Sequence, residues 1–536
     1  MTSRSKYEIL MNYDCDRLRI ASRNKDQSFR VLNGVKFEKG NMEMGLDVLP
    51  GKILVECMRF VNSELLGILT TVRLLSKVMN KTMKCYDMRK HLTLTIPEIY
   101  QYKGEGEDEY DSDSKEEKII DIPSYFDGVG SFKLRKNHTN KTLLSLKRPI
   151  NRLDMSQNIS ITDEGFRALK GTIHTLNMSE CRQWGVTDKG FENLKGTIHT
   201  LNIPYCHYIT DKMFKSLKGT IHTLDMSYCR QEEITDKAFE NLKGTIHTLN
   251  MTGCNQRQIT DNAFENMEGT IHTLNMSGCN QKEITDKAFE SLEGTIHTLN
   301  MSTCLQSTIT DKAFESIGKF VRNLNMSWCH QKEITNKAFE NMKGTIHTLD
   351  MSNCNQSTIT DEAFENFKGT IHTLKISGLK QVTDKAFENM KGTIYKLSMK
   401  GCNQKEITDK AFKNLKGTIH TLNMTGCNQK EITDKAFENM EGTIHKLNID
   451  NCNQYTITDK AFKYLSETIV ELSMTRINSQ TITRKAFENL KGNPERFNLR
   501  RLNLGKWYSY TAREVFKNHR TLKYNHPSMY FLQQNQ

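Results

Sequence analysis

The chain has 536 residues, 37% of them hydrophobic, a formal net charge of +12 and 14 cysteines. This is ample for a buried core, yet no stretch reaches the roughly 18 to 20 apolar residues of a membrane span, and Met1 to Arg30 holds no uninterrupted hydrophobic segment for secretion. A charge of +12 is modest at this length and lysines alternate with glutamates as on a solvated surface, so neither nucleic acid nor a membrane is an expected partner.

In chain order, residues 1–45 are polar and mildly basic (Arg17, Arg19, Arg23, Lys25 and Arg30) and read as weakly ordered. The character changes at 46–90. Leu46 to Val61 and Leu65 to Lys81 carry apolar residues at helical spacing, broken by Asn62-Ser63, and Pro50 suits a first helical turn. That predicts a small helical hairpin or trio. Residues 91–149 read as a linker, within which 105–117 (Glu105 to Glu117) is so densely acidic that like charges must splay it into an exposed loop. The loop lacks the glycine and terminal glutamate of a calcium site.

From 150 to 497 one pattern returns about every 25 residues. It is clearest at Ile271-His272-Thr273-Leu274-Asn275-Met276-Ser277-Gly278-Cys279, here positions 1 to 9, followed by Asn280 to Glu283 and then Ile284-Thr285-Asp286-Lys287-Ala288-Phe289-Glu290-Ser291-Leu292. The anchor leucine recurs at Leu153, Leu176, Leu201, Leu224, Leu249, Leu274, Leu299, Leu324, Leu349, Leu374, Leu397, Leu422, Leu447 and Leu472, with Phe497 as a degenerate last member. About 14 short units of fixed period predict a solenoid. Positions 1, 4, 6 and 9 face one way and 3, 5 and 7 the other, which is a short strand with one buried face. The second half predicts a helix: Thr285 caps it, Asp286 suits the positive end of its dipole, Ala288, Phe289 and Leu292 share a face, and Gly294 ends it. The expected fold class is therefore α/β, one short parallel strand and one helix per repeat, curved like a horseshoe because helices are wider than strands. Residues 498–536 read as a basic C-terminal cap and tail.

All cysteines except Cys15, Cys57 and Cys85 occupy position 9, each on its own turn and expected to point inward as a small apolar group with a weak donor for loop carbonyls. Asn158 at the same position fits the hydrogen-bonding role, and Leu379 and Ile477 show that apolar filling also serves. With no Cys-x-x-Cys pair, no metal is expected, and so many free thiols imply a reducing compartment, cytoplasmic or nuclear. Position 2 is histidine in ten units (His174, His199, His222, His247, His272, His297, His347, His372, His420 and His445), an expected column of edge-packed imidazoles without a companion carboxylate.

Units differ little, so their differences are the clue to a ligand. Positions 3, 5 and 7 are mostly Thr, Asn and Ser; the exceptions are Asp225, Asp350, Lys375, Lys396, Lys400, Lys446 and Asp450. Position 8 varies most: Glu180, Tyr205, Tyr228, Thr303, Trp328, Asn353 and Arg476. Aromatic and charged side chains along one rim suit a protein surface, and neutral drift between duplicated units would produce the same variety. The target-binding candidates are Tyr205, Tyr228, Trp328, Lys375, Lys396, Lys400, Lys446 and Asp450.

The pattern I-x-x-L-x-M-x-x-C followed by I-T-D-K-A-F-x-x-L resembles the cysteine-containing class of leucine-rich repeats found in many F-box substrate receptors. Directly upstream, Leu49, Pro50, Ile53, Leu54, Phe60, Leu65, Leu66, Leu69, Val72, Ser76 and Lys77 resemble an F-box, although the usual tryptophan near its end is absent and Met79 or Asn80 stands there. A plain helical cap on the array would look similar. The resemblance implies that Leu49, Pro50, Ile53, Leu54, Phe60, Leu65 and Leu66 meet a Skp1-like adaptor in a cullin complex. The near-identity of the units and their Lys-, Asn- and Ile-rich wording are similar to repeat proteins of large DNA viruses that infect amoebae.

The expected function is thus that of a substrate-recognition subunit of a cullin-RING ubiquitin ligase, which holds a target protein on the array and acts by proximity. The alternative is a non-catalytic interaction scaffold with no ligase role. No phosphate-cradling glycine loop, nucleophile elbow or metal-ligand spacing stands in the sequence, so neither catalysis nor a cofactor is expected.

Overall fold

The computed structural model describes residues 130–486, except 182–183, 368, 389, 391, 453, 466–467, 475–480, 483–484, together with three strands further upstream. The F-box-like module at 46–90, the acidic loop at 105–117 and the tail at 498–536 lie outside the described residues, and with them Leu49, Pro50, Ile53, Leu54, Phe60, Leu65 and Leu66. The chain divides into two compact units, Met1–Met178 and Ser179–Gln536.

In the first unit, β1 (Ile9–Asp14) and β2 (Arg17–Ser22) pair antiparallel, with Asp14 opposite Arg17. Order was not expected here. The explanation is local: Leu18 and Ile20 alternate with Arg17 and Arg19, a period-two pattern, and only Cys15-Asp16 separate the strands. Four further strands, β3 (Leu94–Thr95), β4 (Ser131–Lys133), β5 (Arg152–Asp154) and β6 (Thr175–Asn177), run parallel in that order. Phe132 of β4 is opposite Leu153 of β5 and fully buried, and Leu94 of β3 is opposite Phe132, so the sheet begins two strands before the repeat becomes legible in sequence. A helix, Asn140–Ser145, follows β4 and buries Leu143.

The second unit is a solenoid. Its strands are β7 (Thr200–Asn202), β8 (Thr223–Asp225), β9 (Thr248–Asn250), β10 (Thr273–Asn275), β11 (Thr298–Asn300), β12 (Asn323–Asn325), β13 (Thr348–Asp350), β14 (Thr373–Lys375), β15 (Lys396–Ser398), β16 (Thr421–Asn423), β17 (Lys446–Asn448) and β18 (Glu471–Ser473), neighbours in sequence and in the sheet. All pairs are parallel and in register, anchor leucine opposite anchor leucine, as Leu274 is opposite Leu249 and Leu299. Leu274, Met276, Cys279, Phe289 and Leu292 are essentially fully buried, while Thr273, Asn275 and Ser277 are partly open to solvent. Burying one phenylalanine and two or three aliphatics per turn contributes about 1.5–3 kcal/mol per side chain. No turn could form its own closed core, which is why each needs its neighbours.

The strands are shorter than position 1 to 9 suggests, only three residues. The side chain at position 5 shortens them: Asn275 Oδ1 accepts from the Ser277 amide at 3.1 Å and turns the chain. Gly278 then sits at φ +68. Backbone pairing nonetheless continues past the strand, with the Gly278 amide donating to the Ser302 carbonyl at 2.8 Å. The helices are also short, such as Asp286–Glu290, and some turns use a 3-10 helix instead, at Asn336–Met342 and Asp361–Phe367.

Side-chain links of three kinds join turns to their neighbours, the first two recurring along most of the array and the third at a few joints. The Cys279 thiol donates to the Met251 carbonyl at 3.0 Å, and Cys254, Cys304, Cys329, Cys354, Cys427 and Cys452 likewise each donate to the carbonyl 28 residues earlier. Thr285 caps its helix by accepting from the Lys287 amide at 3.3 Å, as predicted. Asp286 does more than favour the helix dipole. Its two oxygens accept from the amide (2.7 Å) and the hydroxyl (2.8 Å) of Thr310, the cap of the following turn. Third, Asn280 Oδ1 accepts from the Leu305 amide at 2.8 Å. Beside the thiols lies a column of glutamines, Gln256, Gln281, Gln306, Gln331 and Gln356, each at most 4% exposed and with neither amide atom paired within the described residues. In Gln231 and Gln404 the amide instead donates to the carbonyls of Cys206 and Leu379.

Asn158 meets its expected role in the first unit. It is fully buried, donates to the carbonyls of Arg135 and His138, and accepts from the amides of Ser160 and Ile161. Leu379 is fully buried at the same repeat position, and Ile477 lies outside the described residues.

Candidate protein-recognition surface

In the second unit the strand face opposite the core is lined by positions 3, 5 and 7, and beyond position 7 lies the turn that carries position 8. The variability of position 8 has a backbone cause. Every described residue there has a left-handed conformation, including Glu180 (φ +60), Tyr205 (+60), Tyr228 (+58), Gly253 (+65), Gly278 (+68), Thr303 (+57), Trp328 (+60), Asn353 (+57), Gly378 (+67) and Asn451 (+56). Glycine adopts this without penalty, whereas an L side chain costs about 1–2 kcal/mol. Tyrosine and tryptophan at such a position are thus exceptions that need a counterweight.

Tyr205 and Tyr228 supply part of it to each other, their rings stacked at 4.7 Å and 8°. Tyr228 in turn lies over Gly253: a Cβ on that glycine would come within 2.7 Å of the tyrosine ring. Trp328, 53% exposed, makes an edge contact with His330 at 6.5 Å. Two neighbouring aromatics escaped notice in sequence. Trp184, 79% exposed, stacks on Tyr208 at 5.2 Å. Trp184 stands where the standard turn carries Lys282, and that departure is the signal that was available.

The charged exceptions fall into two groups. Asp225 and Asp350 substitute for asparagine in the same turn, accepting from the amides of Ser227 and Ser352 at 3.0 Å, so their presence carries no ligand information. Lys375 pairs with Asp350 at 3.1 Å and Lys446 with Glu471 at 2.9 Å. Asp450 accepts from the Ser473 hydroxyl on both oxygens at 2.9 Å. Lys396 and Lys400 are exposed and have no ion-pair partner among the described residues. The structure therefore does not gather the eight candidates into one site: Tyr205 and Tyr228 are together, Trp328 stands apart, and the four lysines with Asp450 lie on β14 to β17 and the turns after them.

The histidines form the expected column. His199, His222, His247, His272 and His297 stack in sequence at 5.2–5.5 Å, and His347 stacks on His372 at 5.7 Å. The His272 Nδ1 lies 2.8 Å from the Thr270 carbonyl, a geometry that requires the proton on Nδ1. Tyr395, His420 and His445 close up more tightly, at 4.5 and 4.2 Å. Burial, followed by the positive neighbours His445, Lys446 and Lys396, pushes His420 below the usual imidazole range. Burial also pushes the repeat thiols up, Cys304 to about 12, so they remain protonated. Among the described residues no group of three or more His, Cys, Asp or Glu side chains could hold a metal ion, and no helix is long and apolar enough to cross a membrane.

Comparison with known proteins agrees with this geometry. Residues 149–270, 185–320, 282–419 and 401–523 match the BspA type leucine rich repeat region, in 6 copies. No curated protein sequence matches the chain. Among solved structures it is similar to a chain of the yeast Rad7 and Elc1 complex, with 17% identity and TM-score 0.39 over 56% of this chain and 82% of the other. It is similar to a chain of the Drosophila Toll and Spatzle complex, with 15% identity and TM-score 0.48 over 71% of this chain and 48% of the other. A leucine-rich-repeat protein of Leptospira interrogans matches at 12% identity and TM-score 0.44, over 69% of this chain and 84% of that one. With a stacked parallel strand and short helix in every turn and a matching sequence profile across most of its length, the chain belongs to the BspA-type leucine-rich-repeat family.

Proposed function

We propose that the protein is a non-catalytic recognition subunit that holds a partner protein on the open face and rim of its repeats. The observation that carries this reading is the placement of Tyr205, Tyr228 and Trp328, the bulkiest side chains at this position, at left-handed positions that five other turns fill with glycine. Large aromatic side chains at a backbone cost, on a partly exposed rim, suit the anchors of a protein interface. The mechanism is binding and proximity, and it asks no chemistry of this chain.

The more specific reading is that of the substrate-recognition subunit of a cullin-RING ubiquitin ligase. It rests on the F-box-like residues Leu49, Pro50, Ile53, Leu54, Phe60, Leu65 and Leu66 ahead of the array. The full-length protein is expected to copurify a Skp1-like adaptor from cell extract, and Leu49→Asp is expected to abolish that without altering the far-ultraviolet circular dichroism. If the adaptor is absent, the scaffold reading alone stands. Free, buried repeat thiols support placing the protein in a reducing, cytoplasmic setting, the host cytoplasm if the chain is viral.

A further inference from the structure

In the second unit the lysines of the open face are not scattered. From β7 to β13, positions 3, 5 and 7 hold no lysine at all, and then four appear on β14 to β17 and the turn after β15: Lys375, Lys396, Lys400 and Lys446. The two outer ones are neutralised by carboxylates at the borders, Lys375 by Asp350 and Lys446 by Glu471. The inner two, Lys396 at position 3 and Lys400 at position 7 of one turn, have no such partner among the described residues and are exposed. Along the second unit the two unpaired cations thus stand between two paired ones.

Two neighbouring features give the patch a shape. The position-8 residues beside it are Gly378, Gly401 and Gly426, so no side chain shields Lys400 from that edge. On the other side, at position 2, Tyr395, His420 and His445 form the tightest ring column of the unit, with centroids 4.5 and 4.2 Å apart. Register sets Lys396 and Lys446 opposite the two faces of Thr421, about 9.6 Å apart at the backbone, on either side of that column's central ring. The cationic environment is felt there, since Lys446 and Lys396 both contribute to the depression of the His420 pKa. The column therefore offers an aromatic surface between cations, and its central ring is held toward the neutral form.

We propose that β14 to β17 seat an acidic segment of a partner protein, its carboxylates meeting Lys396 and Lys400 and one of its side chains lying against the Tyr395, His420 and His445 rings. This deepens the recognition function above and rests on it. A protein segment fits better than nucleic acid. The cations are lysines only, and Asp350, Asp450 and Glu471 border them, so a continuous phosphate chain would run into carboxylates on leaving the patch. A short acidic run would end before reaching them.

The test uses the full-length protein and a fluorescein-labelled peptide of alternating glutamate and serine with one central tyrosine, read by anisotropy. Binding that weakens with added salt is expected, and Lys396→Glu with Lys400→Glu is expected to weaken it about tenfold or more. Lys237→Glu with Lys287→Glu, on the helical side, is expected to leave it unchanged. Lys396→Gln with Lys400→Gln is expected to give an intermediate loss, and unchanged thermal melts of all variants separate binding from folding. A peptide that does not bind, or that binds the charge-reversed protein equally well, overturns the proposal. So does a single-stranded oligonucleotide of equal charge that binds as tightly and loses as much on reversal. Capture from cell extract separates this from the broader reading: a partner retained by the Lys396→Glu, Lys400→Glu protein sinks the acidic-segment proposal and spares the recognition function, whereas no partner for the wild type sinks both.

Discussion

The Asp286 carboxylate clasps Thr310 of the following turn through both of its oxygens, at 2.7 Å to the amide and 2.8 Å to the hydroxyl. That hydroxyl in turn accepts from the Lys312 amide at 3.3 Å, so one threonine both caps its own helix and is gripped by its neighbour. Asp286→Ala is expected to destabilise the joint by about 1.5–3 kcal/mol, the range for hydrogen bonds to a charged group. Faster exchange of the Thr310 amide and a lower denaturation midpoint would register it. Asp286→Asn is expected to cost less, because the chain already contains that substitution. Asn336 accepts from the Thr360 amide at 2.9 Å and donates to its hydroxyl at 2.9 Å.

Gly253 and Tyr228 should behave as a coupled pair. Gly253→Ala faces the left-handed backbone cost and a 2.7 Å approach to the tyrosine ring, whereas Gly278→Ala meets nothing nearer than 3.4 Å. Gly253→Ala is expected to be the more destabilising of the two, and to lose most of its excess when Tyr228 is also replaced by glycine. A double-mutant cycle in denaturant measures the coupling, and additive costs would contradict the overlap.

The repeat thiols should be chemically silent until the array opens. Burial raises the Cys304 and Cys354 pKa to about 12, so the reactive thiolate is scarce at pH 8 and shielded as well. Iodoacetamide followed by peptide mass spectrometry is expected to leave Cys229 to Cys452 unlabelled in buffer and fully labelled in denaturant. Cys279→Ala, which takes one of two donors from the Met251 carbonyl and leaves it the Cys254 amide, is expected to cost about 0.5–1.5 kcal/mol.

In the first unit, Asp154 is held below its usual pKa of 3.8: burial acts to raise it, but hydrogen bonds from Lys133 and Ser156 and the nearby lysine charge prevail. A carboxylate depressed on folding contributes stability that is present above 3.8 and disappears as pH falls through the lower folded value. Lys133→Met removes the 2.8 Å ion pair and is expected to raise the Asp154 pKa in a carbon-detected titration and to move acid unfolding of this unit to higher pH.

The period of the repeat exposed most of this fold in advance. The inward residues, the thiol at position 9, the threonine cap and the terminal glycine are all local requirements of one turn, so each turn states them again. What joins turns was hidden, because the partners are 24 or 28 residues apart: Asp286 reads as a helix-dipole residue until Thr310 is seen beside it. The rim was partly legible. Variation at position 8 was visible, but the reason for it, a backbone angle near +60°, has no mark in the sequence beyond the recurrence of glycine. The lysine run of β14 to β17 was also visible, while its division into paired and unpaired members depended on which carboxylates lie on the adjoining strands.

The joint between turns also governs how such an array can change length. Where a turn is two residues shorter, the carboxylate still reaches the next threonine: Asp361 to the Thr383 amide is 2.8 Å across 22 positions, against 2.7 Å across 24 for Asp286 and Thr310. The lost residues come out of the loop and leave the clasp alone. A gene that gains or drops a whole copy therefore reseals with an ordinary seam. Copy number can wander over generations, and the cross-section cannot.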